Sequence, residues 1–263
     1  MLLAIDVGNT NILFALAEGN EIRHRWRIKT DAARTADEYA VWLHQLMQME
    51  GLDRTSVSHV IIASVVPQTL FNLRGLARRA FGAEPLVVGA PGVITGMEVR
   101  LANPGEVGAD RIVNAVAAHA DHGGPLIIID FGTATTFDVV SADGAYEGGV
   151  IAPGINLSMD ALYRAAARLP RIAVEPPGEG MGVIGRGTVH AMQSGVFWGY
   201  VGLIEGLVNR IRAELGGPAS VIGTGGLAGL FSRHCAAIET VDPDLTVKGL
   251  IRIHARNSFG DTA

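Results

Sequence analysis

The chain has 263 residues, of which 48% are hydrophobic, so it can form one large domain or two smaller ones. Its formal charge of −5 at pH 7 leaves no basic surface of the size that a phosphate backbone requires, so we expect no nucleic-acid partner. The single cysteine, Cys235, excludes an intrachain disulfide and favours a reducing compartment.

The longest apolar runs are too short to cross a membrane. Val60–Val66 and Leu126–Ile129 fall far short of the roughly 20 residues of a spanning helix, so we interpret them as buried strands. The N-terminus reaches Asp6 without the basic start and longer apolar stretch of a signal peptide. We therefore expect a cytoplasmic protein with no membrane partner.

Three strands open the first half of the chain, and helices and strands alternate after them. Thr35, with Glu38 three residues later, predicts a capped helix start. In chain order we predict strands Leu2–Val7, Ile12–Ala17 and Ile22–Ile28, helix Thr35–Met49, strand His59–Val65, helix Gln68–Phe81, strand Pro85–Val88 and a loop over Gly89–Gly105. This order is typical of an α/β unit.

The second half repeats the opening pattern, because Leu3–Thr10 and Ile127–Ala134 each combine an apolar strand with an Asp and, two residues later, a Gly. Its predicted elements are helix Ala109–His119, strands Leu126–Ile129, Thr136–Val140 and Tyr146–Ala152, helices Asn156–Ala167 and Thr188–Leu215, strand Ser220–Gly223, and helices Gly225–Cys235 and Leu245–Arg256. The repeat implies two similar lobes, residues 1–115 and 116–263, with a cleft between them.

The turn after the first strand has residue types suited to a phosphate with its magnesium ion. Gly8 lets the backbone approach closely, Asn9 and Thr10 offer donors, and Asp6 can hold magnesium through its waters. The same residues also suit an ordinary hairpin turn. A second copy at Asp130–Thr133 favours function, because a two-lobed phosphate site needs one such turn from each lobe.

A third glycine-rich turn, Gly223–Leu227, follows a predicted strand and opens a predicted helix, which suits packing against adenosine and its phosphates. A dinucleotide fingerprint is a weak alternative, since no acidic ribose-binding residue follows in a βαβ context. A P-loop is excluded, because Lys29 and Lys248 are the only lysines and neither lies in a glycine-rich phosphate loop.

These three turns, in this order within a duplicated layout, resemble the fold of sugar kinases, acetate kinase, actin and Hsp70 chaperones. The resemblance implies an α/β fold of two duplicated actin-like, ribonuclease H-like lobes with mixed sheets, flanking helices and an ATP cleft. Three blocks narrow it further, and together with Gly185–Thr188 they resemble type III pantothenate kinases: Asn103–Ala115, Asp6–Thr10 and Asp130–Ala134.

That resemblance implies transfer of the ATP γ-phosphoryl group to pantothenate, the first step of coenzyme A biosynthesis, and it assigns roles to individual residues. Asp110 would be the catalytic base. Pantothenate would be held by Gly108, Ala109, Asp110, Arg111, Leu101 and Thr188, and the ATP phosphates by Asp6, Gly8, Asn9, Thr10, Thr133, Gly223 and Gly225. Asp130 would bind a monovalent cation, K⁺ or NH₄⁺, and Asp6 would bind Mg²⁺ through water. Residue chemistry agrees for Asp110, a carboxylate at a helix start, and for Arg111, whose fork suits a substrate carboxylate. Without the resemblance, a surface Asp–Arg pair at a helix N-terminus would be the simpler interpretation.

The resemblance also implies a homodimer, because Thr188 matches a threonine that reaches the substrate of the partner subunit. On the helix that begins there, four glycines follow one face: Gly195, Gly199, Gly202 and Gly206. Each helical Gly costs about 1 kcal/mol relative to Ala, so the series indicates close backbone packing, between subunits or within one.

One residue departs from the family pattern: Leu101 stands where many members have a tyrosine that lines the pantothenate pocket. Two alternatives stay open from the sequence. One is a kinase of the same fold that acts on another small alcohol or acid, and the other is a regulatory family member that has lost catalysis. Asp6, Asp110 and Asp130 argue against the second alternative, since a protein without catalysis would not need them.

Overall fold

The computed structural model describes residues 1–166, 168–178 and 180–258. The chain divides into two compact units. The first comprises Met1–Asp121 and the C-terminal segment that starts at Asp244, and the second comprises His122–Pro243. The predicted lobes, residues 1–115 and 116–263, differ from these units mainly because the segment that starts at Asp244 belongs to the first unit and not to the second.

Within the described residues the elements follow one another in this order: β1 (Leu2–Val7), β2 (Asn11–Glu18), β3 (Glu21–Lys29), α1 (Ala36–Met49), β4 (His59–Ser64), α2 (Pro67–Phe81), β5 (Leu86–Val87), α3 (Ala109–His122), β6 (Leu126–Phe131), β7 (Ala134–Val140), β8 (Tyr146–Pro153), α4 (Ile155–Ala165), α5 (Thr188–Leu215), β9 (Ser220–Gly225), α6 (Ala228–Phe231), β10 (Thr240–Val241) and α7 (Leu245–Ser258). Short 3₁₀ turns occupy Arg54–Ser56 and Pro104–Glu106.

The two sheets have the same topology. In the first unit the order is β3-β2-β1-β4-β5, and in the second it is β8-β7-β6-β9-β10 when read in the same sense. In each sheet the first three strands in chain order form an antiparallel meander. The fourth strand pairs parallel with the first, and the fifth pairs parallel with the fourth. This shared order confirms the duplication that the sequence predicts.

Helix α1 begins at the predicted capping box. The Thr35 hydroxyl accepts a hydrogen bond from the Glu38 N–H, and the Glu38 carboxylate accepts one from the Thr35 N–H. One face of the helix is fully buried through Tyr39, Leu43 and Met47, which pack with α2 against the first sheet. The helix start is therefore confirmed.

Helix α7 corrects the sequence prediction, which had it complete the second half of the chain. It packs instead against β1 and β4 of the first unit. Its Thr246 hydroxyl donates to Oδ1 of Asn114 in α3 at 2.7 Å. At Gly249 the two helices pass so closely that a Cβ atom would lie 2.1 Å from the Val113 carbonyl oxygen. Periodicity identifies an apolar helix face but not the sheet that it covers.

A second correction concerns the predicted helix Gly225–Cys235, because only Ala228–Phe231 is helical. Gly225 ends strand β9, with a φ of 86°. The short strand β10 was not predicted, because two residues are too few to show the alternation of apolar and polar side chains that identifies a strand. The predicted helix at Asn156–Ala167 is observed as α4, and Ala167 lies outside the described residues.

None of the helices within the described ranges is both long and apolar enough to cross a membrane.

Candidate active site

The first candidate turn joins β1 to β2. Asp6 lies near the end of β1, between Leu13 of β2 and Ala63 of β4, and is half-buried. The N–H of Gly8 donates to the Asn11 carbonyl at 3.0 Å and closes the turn. The backbone therefore forms a short hairpin whose side chains at positions 9 and 10 are exposed.

Thr30, the residue after β3, contacts this turn at two points. Its hydroxyl donates to the Gly8 carbonyl at 2.7 Å, and its N–H donates to the Thr10 carbonyl at 2.9 Å. Thr30 was not among the predicted site residues. Only the pairing of β3 with β2 brings it beside the turn, so no local pattern could have revealed it.

The second candidate turn joins β6 to β7. Asp130 is half-buried and lies opposite Thr136 of β7 and Thr224 of β9. The N–H of Gly132 donates to the Ala134 carbonyl at 3.1 Å, and the Thr133 side chain is exposed. An Asp near the end of the first strand is thus common to both turns.

Two neighbours surround the second turn. The N–H of Gly154, which follows β8, donates to the Thr133 carbonyl at 3.1 Å. The hydroxyl of Tyr200 in α5 hydrogen-bonds the Thr135 hydroxyl and donates to the Pro153 carbonyl at 3.1 Å. Burial raises the pKa of the Tyr200 phenol, which therefore stays protonated as a donor. Both neighbours are distant in sequence from the turn, and neither contact was predicted.

The third turn lies directly beside Asp130. A Cβ atom at Gly225 would lie 2.6 Å from Oδ1 of Asp130, and the N–H of Gly226 donates to the Phe131 carbonyl at 3.2 Å. Gly223 differs, because it is buried and a Cβ there would contact Ile238 at 3.2 Å. The structure thus brings Asp130, Thr133 and Gly225 together, whereas Gly223 packs against the apolar core.

Asp110 lies in the first turn of α3, in the same unit as Asp6. Its Oδ1 accepts a hydrogen bond from the Arg111 N–H at 2.8 Å, and the positive end of the helix dipole favours its negative charge. A Cβ at Gly108 would lie 2.6 Å from that same oxygen and 3.4 Å from Cγ1 of Val65. A side chain at position 108 would therefore require the Asp110 carboxylate to move.

Val65 connects this helix start to the first turn. Its N–H donates to the Val7 carbonyl at 3.1 Å, and its side chain faces Gly108. The start of α3 therefore lies beside the end of β1, the strand that carries Asp6. Arg111 is half-buried with its Nη2 atom fully buried, and Ala109 is half-buried as well.

The remaining predicted residues lie in two other places. Leu101 is half-buried in the segment before the 3₁₀ turn, where Asn103 donates to the Glu106 carboxylate at 2.8 Å. Thr188 is the first residue of α5 in the second unit and is exposed. Within the described residues, no group of three or more His, Cys, Asp or Glu side chains forms a metal cluster.

Comparison with known proteins decides the family. The sequence model of the type III pantothenate kinase family matches residues 2–210. The type III pantothenate kinase of Paramagnetospirillum magneticum is 61% identical over 258 residues, 98% of both chains. That of Rhizorhabdus wittichii is 62% identical over 260 residues, 99% of this chain and all of the relative. This chain belongs to the type III pantothenate kinase family.

The pantothenate kinase is accordingly a transferase that phosphorylates pantothenate for coenzyme A biosynthesis, as the sequence resemblance implied. This assignment replaces the two alternatives that the sequence left open, a kinase of another small alcohol or acid and a regulatory protein without catalysis. The family is one of ATP-dependent kinases, which implies ATP with Mg²⁺.

Solved structures confirm the actin-like fold. One, described as a Baf family transcriptional activator from Campylobacter jejuni, superposes with a TM-score of 0.62 at 18% identity over 98% of this chain and 99% of the other. The ethanolamine utilization protein EutJ from Carboxydothermus hydrogenoformans gives 0.56 at 14% identity, over 95% and 88%. At these identities the likeness concerns the fold alone.

Proposed function

We propose that Asp110 is the general base of this pantothenate kinase and accepts the proton of the pantothenate hydroxyl as it attacks the γ-phosphorus of ATP. The observation that carries this proposal is the position of Asp110 in the first turn of α3, beside the end of the strand with Asp6. A base must reach its substrate proton, and a half-buried carboxylate at a helix start can do so.

Phosphoryl transfer needs little covalent chemistry from the protein, so the other residues position groups and neutralise charge. Asn9 and Thr10, exposed on the first turn, would bind phosphate oxygens, and Asp6 would hold Mg²⁺ through water. A carboxylate beside hydroxyl and amide oxygens fits this hard cation. Thr133 would contact ATP from the second turn.

Asp130 would bind the monovalent cation, K⁺ or NH₄⁺. Its carboxylate lies beside Gly225, where a Cβ atom would come within 2.6 Å of Oδ1 of Asp130 and 2.8 Å of the Phe131 carbonyl oxygen. A cation there would offset the negative charge of the phosphates. Gly225 would contribute by its small size, since any side chain would occupy the space beside Asp130.

Pantothenate would be bound by residues around the start of α3. The guanidinium of Arg111 would pair with the pantothenate carboxylate, for which its planar fork is suited. Gly108 and Ala109 would line the pocket with their backbone, and Leu101 would supply an apolar wall where many relatives carry tyrosine. Leucine has no hydroxyl, so any hydrogen bond to pantothenate on that side would come from another residue of the pocket.

Replacement of Asp110 by Asn tests the proposal. Asp110→Asn keeps shape and can still accept a hydrogen bond from the Arg111 N–H, but it removes the proton acceptor. General-base assistance typically contributes about 10²–10⁴-fold, so kcat should fall by roughly that factor while ATP and pantothenate binding change little. Steady-state kinetics and equilibrium titration of both ligands measure this.

The melting temperature is the folding control. The dipole of α3 favours the lost charge by only about 0.3–1 kcal/mol, too little to unfold a domain of this size. A folded Asp110→Asn enzyme with kcat near that of the wild type would remove Asp110 from the mechanism, and Asp6 would be the next carboxylate to test.

The protein also acts as a homodimer through the glycine face of α5, with Thr188 completing the partner's pantothenate site. Gly195, Gly199 and Gly202 are exposed, and outside the backbone of the helix itself no described atom lies within 4 Å of a Cβ built at any of them. Packing within one subunit therefore does not explain these three glycines, and a second copy of α5 would. Gly206 is less open, since Nη1 of Arg210 lies 3.2 Å from the position that a Cβ would take there.

A subunit-mixing experiment tests the shared site. Thr188→Ala and Asp110→Asn homodimers should each lose nearly all activity, and mixing them should restore part of it, because a heterodimer holds one site with both native residues. Light scattering and a tag-exchange assay establish that dimers form and subunits exchange. Complete exchange without any recovered activity contradicts a shared site. A cytoplasmic location, expected from the sequence, stays a prediction.

A further inference from the structure

Thr30 holds the first turn from the end of the neighbouring strand. Its hydroxyl donates to the Gly8 carbonyl at 2.7 Å and its N–H donates to the Thr10 carbonyl at 2.9 Å, so one residue fixes two carbonyl groups of a three-residue turn. Thr30 is half-buried, and its two bonds span 20 or more positions of the chain.

The second unit shows which of these two bonds the fold itself requires. Gly154 follows β8 as Thr30 follows β3, and its N–H donates to the Thr133 carbonyl at 3.1 Å. The backbone bond is thus common to both units, but glycine has no hydroxyl to make the other. The side-chain bond of Thr30 is an addition that belongs to the first turn alone.

The hydroxyl of Thr30 acts on the peptide group between Gly8 and Asn9. Because a peptide group is planar and trans, its C=O and N–H point in opposite directions. A donor that fixes the Gly8 carbonyl therefore also fixes the direction of the Asn9 N–H. Successive backbone N–H groups of this kind form the concave sites that bind phosphate oxygens.

We infer that Thr30 is a positioning residue for ATP: its hydroxyl orients the Gly8–Asn9 peptide so that the Asn9 N–H faces a phosphate oxygen before the nucleotide arrives. This inference rests on the proposed role of the first turn in phosphate binding. A peptide group that is already oriented loses less entropy when ATP binds. It stabilises bound ATP equally in the ground state and in the transition state, so it affects the KM for ATP and leaves kcat unchanged.

The test compares Thr30→Val, which keeps the shape and removes the donor, with Thr30→Ser, which keeps the donor. One net hydrogen bond corresponds to about a threefold to tenfold change in an equilibrium constant. The KM for ATP should rise by that factor in Thr30→Val, with kcat and the KM for pantothenate within about twofold of wild type. Thr30→Ser should restore the KM for ATP.

Thr35→Val is the matched control, because it removes a threonine hydroxyl from the cap of α1 in the same unit. It should lower the melting temperature by at least as much as Thr30→Val while leaving the KM for ATP unchanged. Loss of stability alone would therefore not produce the expected pattern.

Asp6→Asn separates failure of this inference from failure of the proposed function. If Asp6→Asn weakens ATP binding but Thr30→Val does not, the turn binds phosphate and Thr30 has no positioning role. If neither variant changes ATP binding, the proposed role of the turn is wrong and the inference falls with it. A rise in the KM for ATP that Thr30→Ser does not reverse also overturns the inference.

Discussion

The turns after β1 and after β6 occupy equivalent places in a duplicated topology but are built differently. In the first, the Gly8 N–H bonds the carbonyl three residues ahead, at Asn11. In the second, the Gly132 N–H bonds the carbonyl two residues ahead, at Ala134. The second turn is one residue shorter.

The neighbours of the second turn approach it closely, although a Cβ at Gly132 within that turn would lie 3.4 Å from the Ala134 carbonyl oxygen. A Cβ at Gly154 would lie 2.3 Å from the Thr133 carbonyl oxygen, and one at Gly225 would lie 2.6 Å from Oδ1 of Asp130. In the first turn a Cβ at Gly8 would lie 3.2 Å from the Asn11 carbonyl oxygen. Backbone contact therefore constrains the second turn, whereas a side chain, that of Thr30, holds the first.

The largest effect is expected for Gly225→Ala. The φ of 86° at this position disfavours any other residue by about 1–2 kcal/mol, and overpacking against Asp130 and the backbone of Phe131 adds about 1–3 kcal/mol. The variant should unfold at clearly lower denaturant concentration than wild type. Gly229→Ala is the matched control, because a Cβ at Gly229 in α6 meets no described atom within 4 Å.

Gly225→Ala also tests the cation, because the new methyl group would displace the Asp130 carboxylate. Wild-type activity should fall when K⁺ is rigorously replaced by Na⁺, and any folded Gly225→Ala enzyme should need more K⁺ for half-maximal activity. Full wild-type activity in Na⁺ alone would show that Asp130 holds no required monovalent cation.

Sequence reasoning predicted features that depend on neighbouring residues and missed those that depend on distant ones. The repeated Asp and Gly marked both turns, and Thr35 with Glu38 marked the start of α1. Aligned by sequence, Thr133 corresponds to Asn9. The hydrogen bonds give a different correspondence. The residue after the third strand donates its N–H to the Thr10 carbonyl in the first unit and to the Thr133 carbonyl in the second, so Thr133 takes the place of Thr10 because the second turn is shorter.

The contacts of Thr30, Gly154 and Tyr200 with the turns could not be predicted, since each depends on strand pairing or helix docking across many positions. The same holds for α7. Its apolar spacing predicts a helix, yet the close approach of Gly249 to Val113 depends on the tertiary fold.

A smaller effect is expected for Gly154→Ala. Its Cβ would overlap the Thr133 carbonyl oxygen, but its φ is −64°, so backbone strain adds nothing and overpacking alone costs about 1–3 kcal/mol. Chemical denaturation measures the change, again with Gly229→Ala as the control. Stability equal to wild type would mean that the second turn shifts freely, and that the contrast between the two turns is only apparent.

The smallest effect is expected for Gly8→Ala, a change within the first turn itself. Its φ lies outside the left-handed region, and a Cβ would need the Asn11 carbonyl to move by only a few tenths of an ångström. We expect a loss of stability below about 1 kcal/mol, typical of sites without a buried clash. Because that Cβ would point at Asn11, the first residue of β2, the KM for ATP should rise by no more than a few-fold. Denaturation and ATP titration of Gly8→Ala and Gly154→Ala, measured side by side, decide the comparison. A Gly8→Ala protein as unstable as Gly154→Ala would mean that the longer turn is packed as tightly as the shorter one.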